Sequence, residues 1–247
     1  KEMSKVLSVT QAFMMIAPML APVLGAMILK VADWKMTFIV LAILTGVSLV
    51  GAFLLQETLP ANERKQGSTV QTILGLSKVA KNPNFSSLLL VGAFIAAPFM
   101  AYLALASYIY IDGFGVSETK FSMYFAINAG ASILGPILYM RFGARSVKKA
   151  INTGIILAIV SALLILTVGK TGPIIFLLSY VIFSVVTSYY RPLISDLLLS
   201  ATKTDVGAAS SVMNFGFTVV GSIGMVVGSL AWSSYINGLA ITMLIFI

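Results

Sequence analysis

The stretch APMLAPVLGA (Ala17–Ala26) places two prolines and several small residues inside a long apolar run. Proline removes a backbone donor and clashes with the preceding turn, so a helix interior normally excludes it. In a membrane, such a bend is tolerated where a neighbouring helix packs closely over it. Ala17, Ala21 and Gly25 recur every fourth residue and offer that neighbour a stripe of small side chains. The stretch indicates a kinked, close-packed hinge between two helix bundles; an ordinary packing kink is the alternative that the residues alone leave open.

The composition is that of a membrane protein. Of the 247 residues, 59% are hydrophobic and 10% are charged, and the mean hydropathy is +1.01. A soluble domain carries about 25% charged residues, so this chain has too few charges to cover a surface in contact with water. Apolar runs of about twenty residues recur along the whole length, as they do in proteins with several membrane-spanning helices.

The apolar runs predict an all-α membrane protein with about eight segments. They lie at residues 7–29, 35–56, 85–109, 120–141, 149–168, 173–198, 206–232 and 235–247. The last segment is too short to cross a hydrocarbon core of about 30 Å at a rise of about 1.5 Å per residue. Because the chain begins at Lys1 without a signal peptide and ends at Ile247 inside an apolar run, we expect it to be a fragment.

The chain contains no cysteine and no histidine. This excludes disulfides, thiolate chemistry, imidazole acid–base chemistry and H-E-x-x-H zinc sites. The sequence also lacks a G-x-S-x-G nucleophile motif. We therefore expect no enzymatic activity, no metal and no cofactor.

The basic residues predict the orientation in the membrane. If the N-terminal end is cytoplasmic, the cytoplasmic side holds twelve of the sixteen Lys and Arg residues and the opposite side holds four. This bias satisfies the positive-inside rule. The net charge of +8 is therefore explained by short loops between spans, and no nucleic-acid partner is expected.

Residues 57–84 form the only long polar connection. It opens with ETLPANERKQGS, which is rich in charge and helix breakers and is typical of a linker. VQTILGLSKVAKN follows, whose apolar and basic positions favour a short amphipathic helix on the membrane surface, with a disordered tether as the alternative. The connection divides the chain into residues 1–56, 57–84 and 85–247.

Several motifs resemble drug:proton antiporters of the major facilitator superfamily. Ala17, Ala21, Pro22, Gly25 and Ala26 are similar to the fifth-span motif G-xxx-G-P-xx-G-G, with alanine at three glycine positions. ETLP resembles the exit from the sixth span, and KNPNF and IDGFGVSETKF resemble spans seven and eight of the bicyclomycin/chloramphenicol-resistance (Bcr/CflA) branch. The resemblance implies a helical bundle of the major facilitator type, in which this chain supplies spans five to twelve. Residues 1–56 would then close the N-terminal bundle, and 85–247 would form the C-terminal bundle, incomplete at its end.

The resemblance also implies a substrate cavity near the membrane midplane, between the two halves. The candidates to line it are Phe94, Pro98, Tyr102, Tyr124, Asn128, Tyr180, Phe183, Asn214 and Phe217, with Thr187 beside them. Aromatic rings can stack on a planar molecule and isolated amides can orient it. Contacts with lipid or with other helices are the alternative for the aromatic residues. That alternative explains the two amides less well, because an unsatisfied amide in lipid is costly.

Charged residues suggest a cytoplasmic gate made of Arg141, Arg145, Arg191 and Asp196. RFGARSVKK resembles the superfamily's loop motif D-R-x-G-R-R/K, but Met140 stands in place of the aspartate, so an ordinary basic turn is the favoured interpretation. Counted from Pro173, Arg191 lies about 27 Å along its helix, where snorkelling to the interface is the alternative to a gate.

The predicted function is proton-coupled efflux of hydrophobic or cationic small molecules by alternating access. The expected setting is the bacterial inner membrane, with the lipid bilayer, small-molecule substrates and protons as partners and a monomer as the unit. No acidic residue lies near the middle of a span in this chain, and the resemblance places the proton-carrying carboxylate and its arginine partner in spans one and four, outside this chain. Uptake of a metabolite and a non-transporting membrane scaffold remain alternatives.

Overall fold

The computed structural model describes residues 21, 24–56, 69–142, 146–201 and 206–247, with the backbone alone for 69–72 and 206. The predictions for Ala17, Pro22, Arg145 and residues 57–68 lie outside the described residues.

The described residues form α-helices and contain no β-strand. Residues 24–29 are helical, and the helices that follow are α1 (Lys35–Leu54), α2 (Thr69–Ala80), α3 (Pro83–Ser107), α4 (Glu118–Ser132), α5 (Leu134–Phe142), α6 (Val147–Thr167), α7 (Pro173–Ser200), α8 (Val206–Gly228) and α9 (Tyr235–Phe246). A π-helical turn, Tyr108–Gly113, extends α3, and a short 3₁₀ turn, Gly169–Thr171, precedes α7.

Six segments of the described part are long and apolar enough to cross a membrane. They are Lys35–Leu54, Pro83–Gly113, Glu118–Phe142, Val147–Thr167, Pro173–Ser200 and Gly207–Gly228, with Tyr235–Phe246 as a shorter apolar helix. Each overlaps one of the predicted segments, which confirms the all-α membrane fold. The predicted amphipathic segment overlaps α2, which contacts the start of α3 and the α8 helix.

Polar residues at the helix ends fix where the spans begin. Asn82 precedes Pro83, and its side chain accepts hydrogen bonds from the backbone N–H groups of Asn84 at 3.1 Å and Phe85 at 3.5 Å. Ser117 and Ser146 cap α4 and α6 in the same way. Such caps satisfy donors that have no partner inside the helix, so they mark where these three helices begin.

The α7 helix lies at the centre of the bundle and contacts α3, α4, α5 and α6. The buried side chains form two clusters along it. The cluster towards the outer side is aromatic and contains Tyr110, Phe176 and Tyr180. The cluster towards the predicted cytoplasmic side contains Tyr190, Leu198 and their neighbours on α3 and α8.

The longest helix contact runs between α3 and α8 and depends on glycine. A Cβ atom on Gly224 would collide with the backbone of Ala97, and one on Gly228 would come within 3.1 Å of Ala101 Cβ. Small residues that let helix backbones approach closely are the main packing device in membranes. The spacing G-S-I-G-M-V-V-G at residues 221–228 therefore sets the separation of these two spans.

The segment predicted as one span at 120–141 is bent between α4 and α5. Pro136 has no N–H group for the Ser132 carbonyl, four residues earlier, so the regular ladder cannot continue there. Instead, the N–H group of Ile133 donates to the Gly130 carbonyl at 3.2 Å. Beyond the bend, Gly135 packs directly against the backbone of α7 at Ser188.

Candidate substrate cavity

A cavity of about 320 Å³ lies between α3, α4, α7 and α8, where the two clusters of buried residues meet. It is lined by Gly92, Ile95, Ala96, Phe99, Met100, Tyr102, Leu103, Phe125, Asn128, Ala129, Ser132, Ser184, Thr187, Ser188, Tyr190, Arg191, Ile194, Asn214, Phe217 and Thr218. Most of this wall is apolar, and a few polar groups are concentrated on α7 and on the parts of α4 and α8 that face it. This is the usual composition of a site for a small organic molecule.

The cavity lies well inside the membrane-spanning part of the bundle. Gly92, Arg191 and Asn214 are eight or nine residues from the ends of α3, α7 and α8 on the predicted cytoplasmic side. That distance is about 12–14 Å at a rise of about 1.5 Å per residue. Arg191 is therefore deeper than the count from Pro173 predicts, because α7 continues to Ser200.

Polar side chains form a stripe along the cavity face of α7. Ser184, Thr187, Ser188 and Arg191 follow one another at the i, i+3, i+4 and i+7 positions that share one side of a helix. The Ser184 hydroxyl donates a 2.8 Å hydrogen bond to Asn128 Oδ1 on α4. The Ser188 hydroxyl donates to the Ser184 carbonyl, also at 2.8 Å. The stripe thus connects α7 to α4. The amide nitrogen of Asn128 takes no part in the contact with Ser184.

Arg191 is the one charged residue in the wall formed by the described residues. No carboxylate in the described part of the chain pairs with its guanidinium. Asp196, one turn further along α7, is exposed and accepts a 2.6 Å hydrogen bond from the Tyr139 hydroxyl on α5. The wall therefore carries a positive charge without a counter-ion among these residues.

Tyr102 closes the outer end of the cavity. Its ring is stacked on Tyr180, with centroids 3.9 Å apart, and on Phe125 at 5.8 Å. The ring is buried, and its hydroxyl has no hydrogen-bond partner among the described atoms. A buried hydroxyl without a partner is unusual, because losing its bonds to water costs free energy.

Comparison with known proteins identifies the family. The model of the Major Facilitator Superfamily matches residues 1–225 of the chain. The chain belongs to the major facilitator superfamily. Members of this family are transporters, which confirms that the chain is not an enzyme. The family and its bacterial relatives also confirm a multi-pass protein of the bacterial inner membrane.

Relatives within the superfamily agree with the resemblance to drug:proton antiporters. The "Uncharacterized MFS-type transporter YdgK" of Bacillus subtilis is 30% identical over 234 residues, which are 90% of this chain and 57% of the relative. "Multidrug transporter MdfA" of Escherichia coli O6:H1 is 25% identical over 91% of this chain and 56% of the relative. The "Bicyclomycin resistance protein homolog" of Haemophilus influenzae is 30% identical over 57% of this chain and 36% of the relative. The chain thus spans about half the length of the curated relatives that it matches along most of its sequence.

The predicted cavity residues of this major facilitator protein fall into two groups. Four of the nine, Tyr102, Asn128, Asn214 and Phe217, line the cavity, as does Thr187. The other five lie elsewhere: Pro98, Tyr180 and Phe183 are buried between helices, Tyr124 stacks on Tyr110, and Phe94 is exposed beside Phe246. Tyr180 still touches the site indirectly, because it supports the ring of Tyr102.

The predicted hinge and gate of this major facilitator protein are described only in part. Ala21 is exposed, Gly25 and Ala26 are half-buried, and a Cβ atom on Gly25 would meet no atom within 4 Å. Arg141 is exposed and lies over the ring of Phe142. The hinge and the gate therefore stay predictions.

The polar residues of the cavity wall that the sequence did not predict are Ser132, Ser184, Ser188, Tyr190 and Thr218. A signal for those on α7 exists in F-S-V-V-T-S-Y-Y-R at residues 183–191, where hydroxyl residues recur at helical spacing towards an arginine. Serine and threonine often bond to their own helix in membranes, so their spacing alone did not separate cavity residues from packing residues.

Proposed function

We propose that this chain forms the C-terminal part of a proton-coupled exporter of hydrophobic or cationic small molecules, which works by alternating access. The observation that supports the proposal is the cavity at mid-depth, with an apolar wall and a few polar groups on helices that face one another. Such a wall suits substrates that are selected by shape and hydrophobicity more than by a fixed set of hydrogen bonds. The printed names of several relatives, which describe multidrug transport and bicyclomycin resistance, support the same substrate class.

The proton would be carried outside the wall described here. No aspartate or glutamate lies among the described lining residues, whereas proton relays in transporters use carboxylates within the membrane. The carboxylate is therefore proposed to lie in span one of the complete transporter, with an arginine partner in span four, as the resemblance implies. Arg141, Arg145, Arg191 and Asp196 are proposed to take part in a cytoplasmic gate, and the complete transporter is proposed to act as a monomer.

The test is drug export by the full-length protein in bacterial cells that lack their own major exporters. We expect raised resistance to chloramphenicol, lower accumulation of ethidium, and loss of both effects when a protonophore collapses the proton gradient. In inverted membrane vesicles, an imposed pH gradient should drive ethidium uptake into the lumen. Increased accumulation in cells would instead indicate an uptake carrier, and no movement of any probe would indicate a scaffold.

A further inference from the structure

We infer that the cavity binds the negatively charged or acceptor-rich end of an amphipathic small molecule, held by Arg191 and Asn128, with an organic carboxylate as the preferred ligand class. The inference rests on the proposed function, because it concerns what the exporter's cavity takes up. It differs from the proposed function for cations, because the part of the cavity described here favours an anionic or acceptor-rich molecule and a cationic substrate would be bound by other parts of the complete transporter.

The first reason for this inference is that most hydrogen-bonding groups of the polar stripe on α7 already have partners within the protein. Asn128 Oδ1 already accepts from the Ser184 hydroxyl, so its amide nitrogen is the group left to act in the cavity, and that group is a donor. Ser184 and Ser188 donate within the protein. Thr187 and Tyr102 also line the cavity, but their hydroxyl oxygens are buried away from it and are not donors for a ligand there. The Asn128 amide nitrogen is therefore the neutral donor that this part of the wall offers to a ligand.

Charge gives the second reason. The Arg191 guanidinium carries five N–H donors, is permanently protonated and accepts no hydrogen bond. The carboxylate nearest to it along α7, Asp196, already accepts a hydrogen bond from Tyr139. An unpaired charge inside a low-dielectric bundle is costly, and a ligand carboxylate that accepts two parallel N–H bonds from Arg191 would offset that cost. A permanent cation in the same place would instead be repelled.

The apolar part of the cavity wall indicates the chemistry of the rest of the ligand. Ile95, Phe99 and Leu103 on α3 and Phe217 on α8 line it, and Phe125 lies towards its outer end. These side chains would surround a flat apolar body of one or two rings. The complementary ligand is thus an aromatic or alicyclic carboxylate, with its ring system in the outer, apolar part and its charged end towards the cytoplasmic side.

The test compares three ligands of one shape with the purified full-length protein in detergent. They are 2-naphthoate, the uncharged 2-naphthamide and the cationic 2-naphthylmethylammonium, and binding is measured by isothermal titration calorimetry. We expect 2-naphthoate to bind about tenfold or more tighter than either of the others, the factor expected for one hydrogen bond to a charged group. Equal binding of 2-naphthoate and 2-naphthamide, or tighter binding of the ammonium compound, would overturn the inference.

Variants test whether the preference for 2-naphthoate comes from the cavity. Arg191→Gln should remove the preference for 2-naphthoate over 2-naphthamide, whereas Arg191→Lys should keep part of that preference. Lys170→Gln removes the same charge from an exposed turn before α7 and should change nothing. If Arg191 pairs only with a carboxylate of the other bundle, Arg191→Gln will stop all transport without changing the relative affinities, and the inference fails.

A second variant tests the same inference if Arg191→Gln does not fold. Asn128→Asp keeps the size of the side chain but places a carboxylate beside the stripe, so it should weaken 2-naphthoate and strengthen 2-naphthylmethylammonium. An unchanged preference would overturn the inference. Drug export without any preference for 2-naphthoate contradicts this inference alone. A preference for 2-naphthoate without proton-driven export of any probe contradicts the proposed function alone.

Discussion

The hydroxyl of Ser184 on α7 donates a 2.8 Å hydrogen bond to Oδ1 of Asn128 on α4, and both side chains are buried at the cavity wall. This contact joins the central helix to the helix that bends just beyond Asn128. It therefore links the shape of the cavity to the packing of α4 against α7.

A double-mutant cycle should reveal this link. We expect Ser184→Ala and Asn128→Ala to lower the free energy of unfolding by amounts that do not add, since either change breaks the same bond. Hydrogen bonds between membrane helices contribute about 0.6 kcal/mol on average and up to about 1.7 kcal/mol, so the coupling should fall in that range. The measurement is the unfolding transition of the full-length protein and its variants in mixed micelles. Full additivity would show that the contact contributes nothing.

Substrate choice should depend on the two amides of the cavity. We expect Asn128→Ala and Asn214→Ala in the full-length protein to change the relative resistance to different drugs, because each removes an orienting group from the wall. Asn152→Ala is the matched control, since Asn152 is exposed on α6 and does not line the cavity. Resistance profiles against a panel of drugs provide the measurement. An unchanged profile in both cavity variants would remove these residues from the substrate site.

The buried hydroxyl of Tyr102 gives a prediction about stability. Tyr102→Phe keeps the ring stacked on Tyr180 but removes a buried hydroxyl that has no partner among the described atoms. The variant should therefore be as stable as the parent or more stable, since no desolvated hydroxyl remains. Thermal unfolding of the full-length protein and the variant measures the effect. A loss of stability would mean that the hydroxyl has a partner in the complete protein.

The helical architecture followed directly from the sequence because membrane spans leave strong signals. Uninterrupted apolar runs predicted each described span, and capping residues such as Asn82 and Ser146 mark where the helices begin. Two features were harder to predict. The bend at Ile133 lies inside one apolar run, and the extension of α3 by a π-helical turn to Gly113 passes the predicted end of the span.

The sequence predicted only some of the residues that line the cavity. The reason is that the type of a side chain does not show which way its side of the helix faces. Tyr102 and Tyr180 are both central tyrosines, yet Tyr102 lines the cavity and Tyr180 packs behind it. Whether Tyr102 faces the cavity depends on the rotation of α3. The close approach of Gly224 on α8 to Ala97 on α3 helps to fix that rotation, and it involves distant parts of the chain.

The hinge motif predicts a sharp size limit at Gly25. In the full-length transporter we expect Gly25→Leu to abolish export and leave membrane insertion intact, because a large side chain would block a helix that packs on the small-residue stripe. Gly25→Ala is the matched control, which should retain export, since alanine already replaces glycine at Ala21 and Ala26. Membrane fractionation and drug-efflux assays measure the two properties. Normal export by Gly25→Leu would exclude close packing at this position.

Replacement of the glycines on α8 should lower the free energy of unfolding, by an amount that depends on which atoms an added Cβ would meet. A Cβ atom on Gly224 meets the backbone of Ala97, which cannot move without shifting α3, whereas one on Gly221 meets the flexible side chain of Met100 at 2.8 Å. Forcing extra volume into a packed contact costs about 1–3 kcal/mol, so Gly224→Ala should fall at the upper end of that range and Gly221→Ala at the lower end.

The matched control for these variants is Gly130→Ala on α4, where an added Cβ would meet no atom within 4 Å. Alanine is a better helix former than glycine by about 1 kcal/mol, so this change should leave the free energy of unfolding unchanged or raise it. The unfolding transitions of the three variants, measured under the same conditions, give the ranking. If Gly224→Ala is no less stable than Gly130→Ala, then α3 and α8 are not held together by backbone contact, and the rotation that directs Tyr102 into the cavity must have another cause.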